Sequence, residues 1–575
     1  MSESWQSIAA RKKEEQTSRI PKEWLLAREP SPNLNNVLSV PRSCRLLSER
    51  ELAITENYDA TALAEEIAKG RLKSVDVVTA FCKRAAIAHQ LTNCLTEIMF
   101  EDALSRAKKL DEHLKRTGKP IGPLHGVPIS LKDTFRVPGY DASIGIASLC
   151  FKPATTASTL VDILLAAGAV LYVKTNVPQT LMALDSHNNV FGRTLNPRNL
   201  LLTPGGSSGG EGALIAMRGS VLGVGTDVGG SIRIPAMCNG LYGIKPSAGR
   251  VPYAGQENGT LPGASALGIP ASAGPLATSL RDCELFLKTV SAAQPWKLDP
   301  LVVPGSWETQ DQSLDIQSCG RTSEKKMRVG IVRTDGLITP LPPIGALLDE
   351  VAQTLRSSSS SSSSSENIEV VDVDISPLFS QCQSLANALF GIDGGAYIFS
   401  LLARTSEPLS PWLQSRLKEK SPKTLEQVRA LHAKKNALET AFLKVWRNEG
   451  KEIDAFICPV APHPVPPVDR WNGVSYTSSF VMLDYPAGTL PVRSMHPEDL
   501  KGEIRKDKPL SSWDKVNREL WTPADRSLYV SSPLCIQVVA PKLQERRLYR
   551  AMERIDEALA PLRAREAQGQ ARARL

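Results

Sequence analysis

The chain has 575 residues, 42% of them apolar and 22% charged, a balance that supports a large buried core and excludes wholesale disorder. Half of its net charge of +8 comes from the segment beginning at Lys542, where nine basic side chains face five acidic ones; with the rest nearly balanced, no clustered basic face marks a nucleic-acid binder. The longest apolar stretch, about residues 160–173 and broken by Asp162 and Gly168, falls short of the ~20 residues a membrane-spanning helix requires.

In chain order, residues 1–55 are polar, with Trp5 and Trp24 as isolated large apolar groups, and read as an N-terminal arm with short helices. The opening MSESWQSIAARKKEEQ has no apolar signal region. A short helix is predicted over 61–69, ending at Gly70. Ser74 is then placed to cap a helix on which Val75, Val78, Cys82 and Ala85 recur at helical spacing. An α/β alternation follows. Strands are predicted at 127–131, 170–173, 221–224, 327–332, 368–373, 454–457 and 534–539. One helix is predicted after caps at Ser158 and Thr159, another over 211–218. A last helix carries Leu548, Met552, Ile555 and Leu559 and is expected to stop at Pro561, leaving 563–575 as a basic tail. Ser357–Ser365, nine serines in a row, reads as a flexible surface loop. The final Ala573-Arg574-Leu575 resembles a relaxed peroxisomal address; without that role, the expected location is the cytoplasm.

The ten cysteines form no CxxC pair, and HExxH is absent, so neither a disulfide framework nor a zinc hydrolase is supported. Chemistry is concentrated in residues 203–235, TPGGSSGGEGALIAMRGSVLGVGTDVGGSIRIP. A phosphate loop would need a Lys-Ser/Thr pair after its glycines or a GxGxxG, and neither occurs in the stretch. GxSxG appears twice, centred on Ser207 and Ser208, but a Gly/Ser-rich segment forces such matches, and none of the seven histidines has a supporting context. The other way to activate a serine is a lysine base. Lys132, in GPLHGVPISLKD, ends an apolar strand just before Asp133; alone, it reads more readily as half of an ion pair with Asp133 or another carboxylate than as a base.

GPLHGVPISLKD, GGSSGG and GTDVGGSIR, in this order, resemble the amidase signature family, with Lys132 and Ser207 separated by 75 positions and Ser207 and Ser231 by 24, as in that family. The resemblance spans about residues 60–545. The phrases TAFCKRAAIAHQLTNCLTEI, VKTNVPQTLM, FGRTLNPRN and IPKEW point to the acetamidase, or general amidase, branch found in fungi. Length alone would suggest three or four domains. The resemblance instead implies one large α/β/α domain around a mixed, mostly parallel twisted sheet, over residues 56–562, with its signature core at 125–250.

The resemblance also implies the chemistry: a serine acyl-enzyme that hydrolyses a carboxylic amide to carboxylate and ammonia. Ser231 would be the nucleophile, Ser207 the relay on a cis Gly206–Ser207 peptide, and Lys132 the base, desolvated so that it is neutral. The N–H groups of Val228, Gly229, Gly230 and Ser231 would form the oxyanion hole. Asp227 and Arg233 would hold that loop, against the alternative of a surface salt bridge, and Ser208 would hydrogen-bond near Lys132 and Ser207. No metal or organic cofactor is implied. The expected partner is a small-molecule amide, and a homodimer is compatible with the family. Larger aryl, fatty or biosynthetic amides are an alternative substrate class, and a partner-dependent amidotransferase-type subunit a more distant one. Met182 is a candidate pocket wall or core residue. The chain departs from the family at Ser531-Ser532-Pro533, where many members have Gly-x-Pro, and at Ala540-Pro541, where many have glycine after the strand. Serine suits the turn unless position 531 needs positive φ.

Overall fold

The aliphatic runs pair into one large sheet. The computed structural model describes residues 3–27, 34–261, 263, 267–307, 326–361, 368–471 and 473–573. The strands are β1 (Leu95–Ile98), β2 (Pro128–Lys132), β3 (Val170–Thr175), β4 (His187–Asn188), β5 (Gly192–Arg193), β6 (Leu222–Asp227), β7 (Tyr242–Lys245), β8 (Ser272–Ala277), β9 (Met327–Ile331), β10 (Ile368–Asp372), β11 (Ala455–Pro459), β12 (Ala487–Ser494) and β13 (Pro533–Val539). All but the short β4–β5 ribbon form an eleven-stranded sheet in the order β1-β3-β2-β6-β8-β7-β12-β13-β11-β9-β10. The single mixed α/β domain is as expected, but parallel pairing is confined to β3–β2–β6 and β11–β9–β10. From β6 through β8, β7, β12 and β13 to β11 every neighbour is antiparallel, so parallel pairs do not predominate.

Side chains alternate between the two faces of the sheet. On β11, Ile457 packs with Val351, Leu355, Leu548 and Met552 from the helices Pro342–Ser361 and Glu545–Ala573. Its neighbours Phe456 and Cys458 pack with Phe379 and Phe442 from the helices Ser376–Phe390 and Leu425–Val445. This two-sided cover makes the three layers. Among the described residues, no helix is long and apolar enough to cross a membrane, and the nine described cysteines are unpaired.

Several local expectations change. The helix over Ser74–Thr92 begins at Ser74 itself, and the carboxylate of Asp111 accepts the N–H groups of Ser74 and Val75. Ser158 heads the helix Thr159–Ala166, but its hydroxyl donates to the Gly255 carbonyl and accepts the Arg136 N–H instead of capping. The last helix runs through Pro561 to Ala573 rather than stopping. Pro561 is exposed, where a lost backbone bond is met by water. Beyond it, Arg563 donates to the Pro491 carbonyl of β12 and pairs with Asp556, tying the continued helix down. The serine run is not wholly loop: the helix Pro342–Ser361 takes its first five residues, and Ser362–Ser365 lie outside the described residues, as do Arg574 and Leu575. The arm boundary at residue 55 falls inside the helix Glu49–Asn57. The arm itself is docked: Gln16 donates to the Leu95 and Thr96 carbonyls of β1, and Trp24 packs on Phe100.

Candidate active site

β2 and β6 lie side by side and parallel, so their C-terminal ends open on the same edge, where ligands bind in open α/β sheets. Lys132 is the last residue of β2, and Thr226 and Asp227 end β6. The turn through Ser207 enters the helix Gly209–Ala216, and the loop 228–231 leads from β6 into the helix Arg233–Asn239. Three segments far apart in sequence thus meet at one sheet edge.

Lys132 is fully buried. Its Nζ lies 2.8 Å from Ser207 Oγ, 2.8 Å from Thr226 Oγ1 and 3.2 Å from the Thr226 carbonyl. The carboxylate that could have claimed it is engaged elsewhere. Asp133 pairs with Lys174 and accepts from Thr96, Ser143 and the Ile144 N–H. Desolvation pulls the Lys132 pKa down from 10.5 to about 7; Asp227 and Glu211 oppose the shift without touching the ammonium. Glu211 is buried beneath, pushed up to about 7 by desolvation, and accepts from Ser130 and Thr175.

The Gly206–Ser207 peptide is cis. A Cβ on Gly206 would come 2.6 Å from the Asp185 carbonyl oxygen, so only glycine fits there. The Ser208 N–H donates to the Ser231 carbonyl at 3.2 Å, which brings the turn through Ser207 against the loop 228–231. Ser208 Oγ reaches the Thr226 carbonyl at 3.5 Å, the same carbonyl that faces Lys132. Ser231 is nearly buried and shares the wall of a cavity of about 460 Å³ with Ser207 and Thr226. Ser207 is linked to Lys132 by a hydrogen bond, whereas Ser231 Oγ has none to Ser207 among the described contacts. No histidine lines this cavity or its neighbour, and buried His89 is pushed down to about 4 by desolvation.

The loop 228–231 is held from inside. Asp227 accepts from the Gly230 N–H at 2.7 Å, from the Ile232 N–H at 3.2 Å and from both Nε and Nη2 of Arg233. Both side chains are wholly buried, which rules out the surface salt bridge. Burial raises the Asp227 pKa, but the charge and hydrogen bonds of Arg233 outweigh it and hold the carboxyl below its usual range. Arg233 goes on to Gln537 Oε1 and the Thr477 carbonyl. One expectation is corrected here: the Gly230 amide is directed at Asp227, not into the cavity. The amides of Val228, Gly229 and Ser231 make no hydrogen bond among the described residues and are left with donors to offer. Gly230 has φ of +134°, and a Cβ there would meet Thr477 Oγ1 at 2.5 Å.

Sequence reasoning missed Thr226, Glu211, Thr477 and Gln537. Thr226 sits inside GTDVGGSIR, and Glu211 directly follows GGSSGG, so both were within reach of the motifs. Thr477, whose hydroxyl donates to the Gly229 carbonyl at 2.6 Å, and Gln537 come from distant segments with no local signal. Met182 lines both cavities beside Ser231.

The family model for amidases matches residues 76–549. The chain is 37% identical over 563 residues to an acetamidase of Aspergillus oryzae, covering 97% of this chain and 99% of that one. Among solved structures it superposes on a fatty acid amide hydrolase with a TM-score of 0.83 at 30% identity, covering 96% of this chain and 94% of the other. A peptide amidase from Stenotrophomonas maltophilia shares the fold, with a TM-score of 0.64 at 21% identity over 89% of this chain and 97% of that one. With the family model over most of the chain and a relative matched across nearly its whole length, this chain belongs to the amidase family and is a hydrolase acting on amides.

Proposed function

We propose that hydrolysis runs through an acyl-enzyme on Ser231 with Lys132 as base and Ser207 as relay. The observation that carries this reading is the buried Lys132–Ser207 hydrogen bond, on a lysine that burial brings down to about 7. A lysine of ordinary pKa is neutral in only about one molecule in a thousand at physiological pH; at about 7 the neutral base is a major form. Substrate binding brings Ser207 onto Ser231, a contact of the kind that tightens in the Michaelis complex. Ser231 Oγ attacks the carbonyl carbon while its proton passes through Ser207 to Lys132. The oxyanion is received by the amides of Val228, Gly229 and Ser231, each donor of this kind being worth about 3–4 kcal/mol. The proton returns through Ser207 to the nitrogen, the C–N bond breaks and the amine departs. Water, deprotonated along the same route, hydrolyses the ester and restores Ser231.

No step needs a metal or organic cofactor. The acetamidase relatives make small primary amides the first substrates to assay. The cytoplasm is the proposed place of action, with the terminal Ala573-Arg574-Leu575 as a peroxisomal address that a fluorescent fusion with and without the tripeptide would test. The central test is product release from a panel of amides by wild type, Ser231→Ala and Lys132→Ala, with intact-mass detection of the acyl-enzyme. Loss of turnover in both variants and an acyl adduct only where Ser231 is present supports the reading. Undiminished turnover in Ser231→Ala defeats it. Activity that appears only when other subunits are added would favour the amidotransferase-type alternative.

A further inference from the structure

Two cavities meet at Ser231, and the chemistry gives them different occupants. The larger, about 460 Å³, is lined by Ser207 and Thr226 as well as Ser231. The smaller, about 250 Å³, is lined by Gly229 and Ser231 but by neither Ser207 nor Thr226. Leu181, Met182, Val228 and Phe390 line both and form the waist between them. In the mechanism above the departing nitrogen takes its proton from Ser207. The nitrogen and whatever it carries therefore lie in the larger lobe, and the acyl group runs the other way, past Gly229.

The size and chemistry of the amine lobe then decide the substrate class. Ammonia needs about the room of one water molecule, ~30 Å³, and would leave nearly all of this lobe empty. Its wall is largely apolar, built by Tyr253, Ile269, Ile392, Ile398 and Val428. A lobe of this kind binds by removing apolar surface from water. The acyl lobe is smaller and aromatic, with Trp412, Trp471 and Trp513 in its wall beside Ile338.

We infer that the preferred substrate is an N-substituted amide, with an alkyl or aryl amine in the Ser207 lobe and a compact aromatic or alkyl acyl group in the tryptophan lobe. This rests on the acyl-enzyme reading. The overall step adds water across the C–N bond: Ser231 displaces RNH₂, whose added proton originates on Ser231 and arrives through Ser207, and water then releases R′COOH and returns the proton to Ser231. A buried methylene is worth about fourfold in affinity, so a butyl group on nitrogen should raise kcat/KM at least tenfold.

The test compares kcat/KM for 2-phenylacetamide and N-butyl-2-phenylacetamide in wild type, Ile398→Trp and Val428→Phe, with folding checked by circular dichroism and Tm. The inference expects the N-butyl amide to be favoured at least tenfold, and that ratio to fall at least tenfold when either substitution fills the larger lobe. Ile338→Phe, in the other lobe, should instead alter selectivity between phenylacetyl and acetyl amides. A wild type that prefers the primary amide, or a ratio that responds to Ile338→Phe and not to the two larger-lobe variants, overturns it while leaving the acyl-enzyme chemistry standing. Failure of that chemistry shows differently, as hydrolysis of both amides that persists in Ser231→Ala, and takes the inference with it.

Discussion

Lys132 Nζ is held between two hydroxyls, Ser207 Oγ and Thr226 Oγ1, each 2.8 Å away, and meets no carboxylate, although Asp133 is its neighbour in sequence. That separation suits it to the proposed role of base. An ion pair would lock the ammonium, whereas two neutral acceptors and burial allow it to lose its proton near neutrality. Only the neutral amine accepts a proton from Ser207. The acidic limb of kcat/KM should therefore titrate with an apparent pKa of about 7, falling tenfold per pH unit below it. Lys132→Arg, which keeps the charge at every pH, should lose at least about a thousandfold. A flat pH–rate profile from pH 5 to 8 would contradict the assignment.

Thr226 tunes that base. Its hydroxyl accepts from Lys132, which favours the ammonium over the amine. Thr226→Val keeps the shape of the side chain and removes the acceptor. The acidic limb should move to lower pH, and kcat should drop about tenfold as Lys132 loses one of the groups that aim it at Ser207. The two effects are read separately from pH profiles of kcat and kcat/KM, and the carbonyl of Thr226, still 3.2 Å from Nζ, keeps the lysine in place.

The Asp227–Arg233 pair is buried on both sides, and Asp227 also fixes the Gly230 and Ile232 amides. Removing one member of such a pair strands the other charge and typically costs about 3–5 kcal/mol. Asp227→Ala should lower unfolding stability by that order. It should also depress kcat more than it raises KM, because the loop it releases carries the amides proposed to meet the oxyanion. Chemical denaturation together with steady-state kinetics measures both effects.

Which of these features could be read from the chain depends on how local their cause is. Lys132, Ser207 and Ser231 stand in glycine-rich phrases whose order and spacing were legible, and the long aliphatic strands β3, β9 and β13 announced themselves by composition. Strands β7, β8 and β12 did not. Their sequences, YGIK, SAGPLA and AGTLPVRS, are rich in glycine, proline and small residues, and Pro275 sits opposite Val224 in mid-sheet, where a sequence reading rejects a strand. Neighbouring strands and the helices above them impose the extended form. Thr477 and Gln537 were invisible for the same reason: tertiary packing alone brings them to the 228–231 loop.

Ser531 shows where sequence and backbone disagree. It stands where many family members have glycine before the last strand, and its φ is +68°, in the left-handed region that side chains with a Cβ avoid. Its N–H still donates to the Met495 carbonyl, so the turn is kept and the conformation is imposed on serine. Ser531→Gly should stabilise the fold by about 1 kcal/mol, the relief of strain exceeding the added entropy of the unfolded chain. Urea denaturation would show a higher midpoint at unchanged slope, and a lower midpoint would refute the strain.

The N-terminal helix Trp5–Ser18 is joined to the cavity walls through buried charge. Lys12 Nζ lies 2.6 Å from Glu97 and 2.7 Å from Asp141, with all three side chains almost wholly buried. Asp141 in turn fixes the N–H groups of Phe151 and Lys152, and its carbonyl accepts from Lys174, which also pairs with Asp133. Asp133 holds the Ile144 N–H, and the Ile144 carbonyl accepts from Thr180, beside the Leu181 and Met182 that form the waist of the two cavities. Lys12→Ala should cost about 3–5 kcal/mol, since it leaves Glu97 and Asp141 buried without their shared cation. It should also raise KM more than it lowers kcat, because the chain of contacts ends on a cavity wall and not on Lys132, Ser207 or Ser231. Lys12→Arg, restoring the charge, should recover part of the stability. A KM unchanged in a Lys12→Ala protein that has lost stability would confine the helix to holding the fold together.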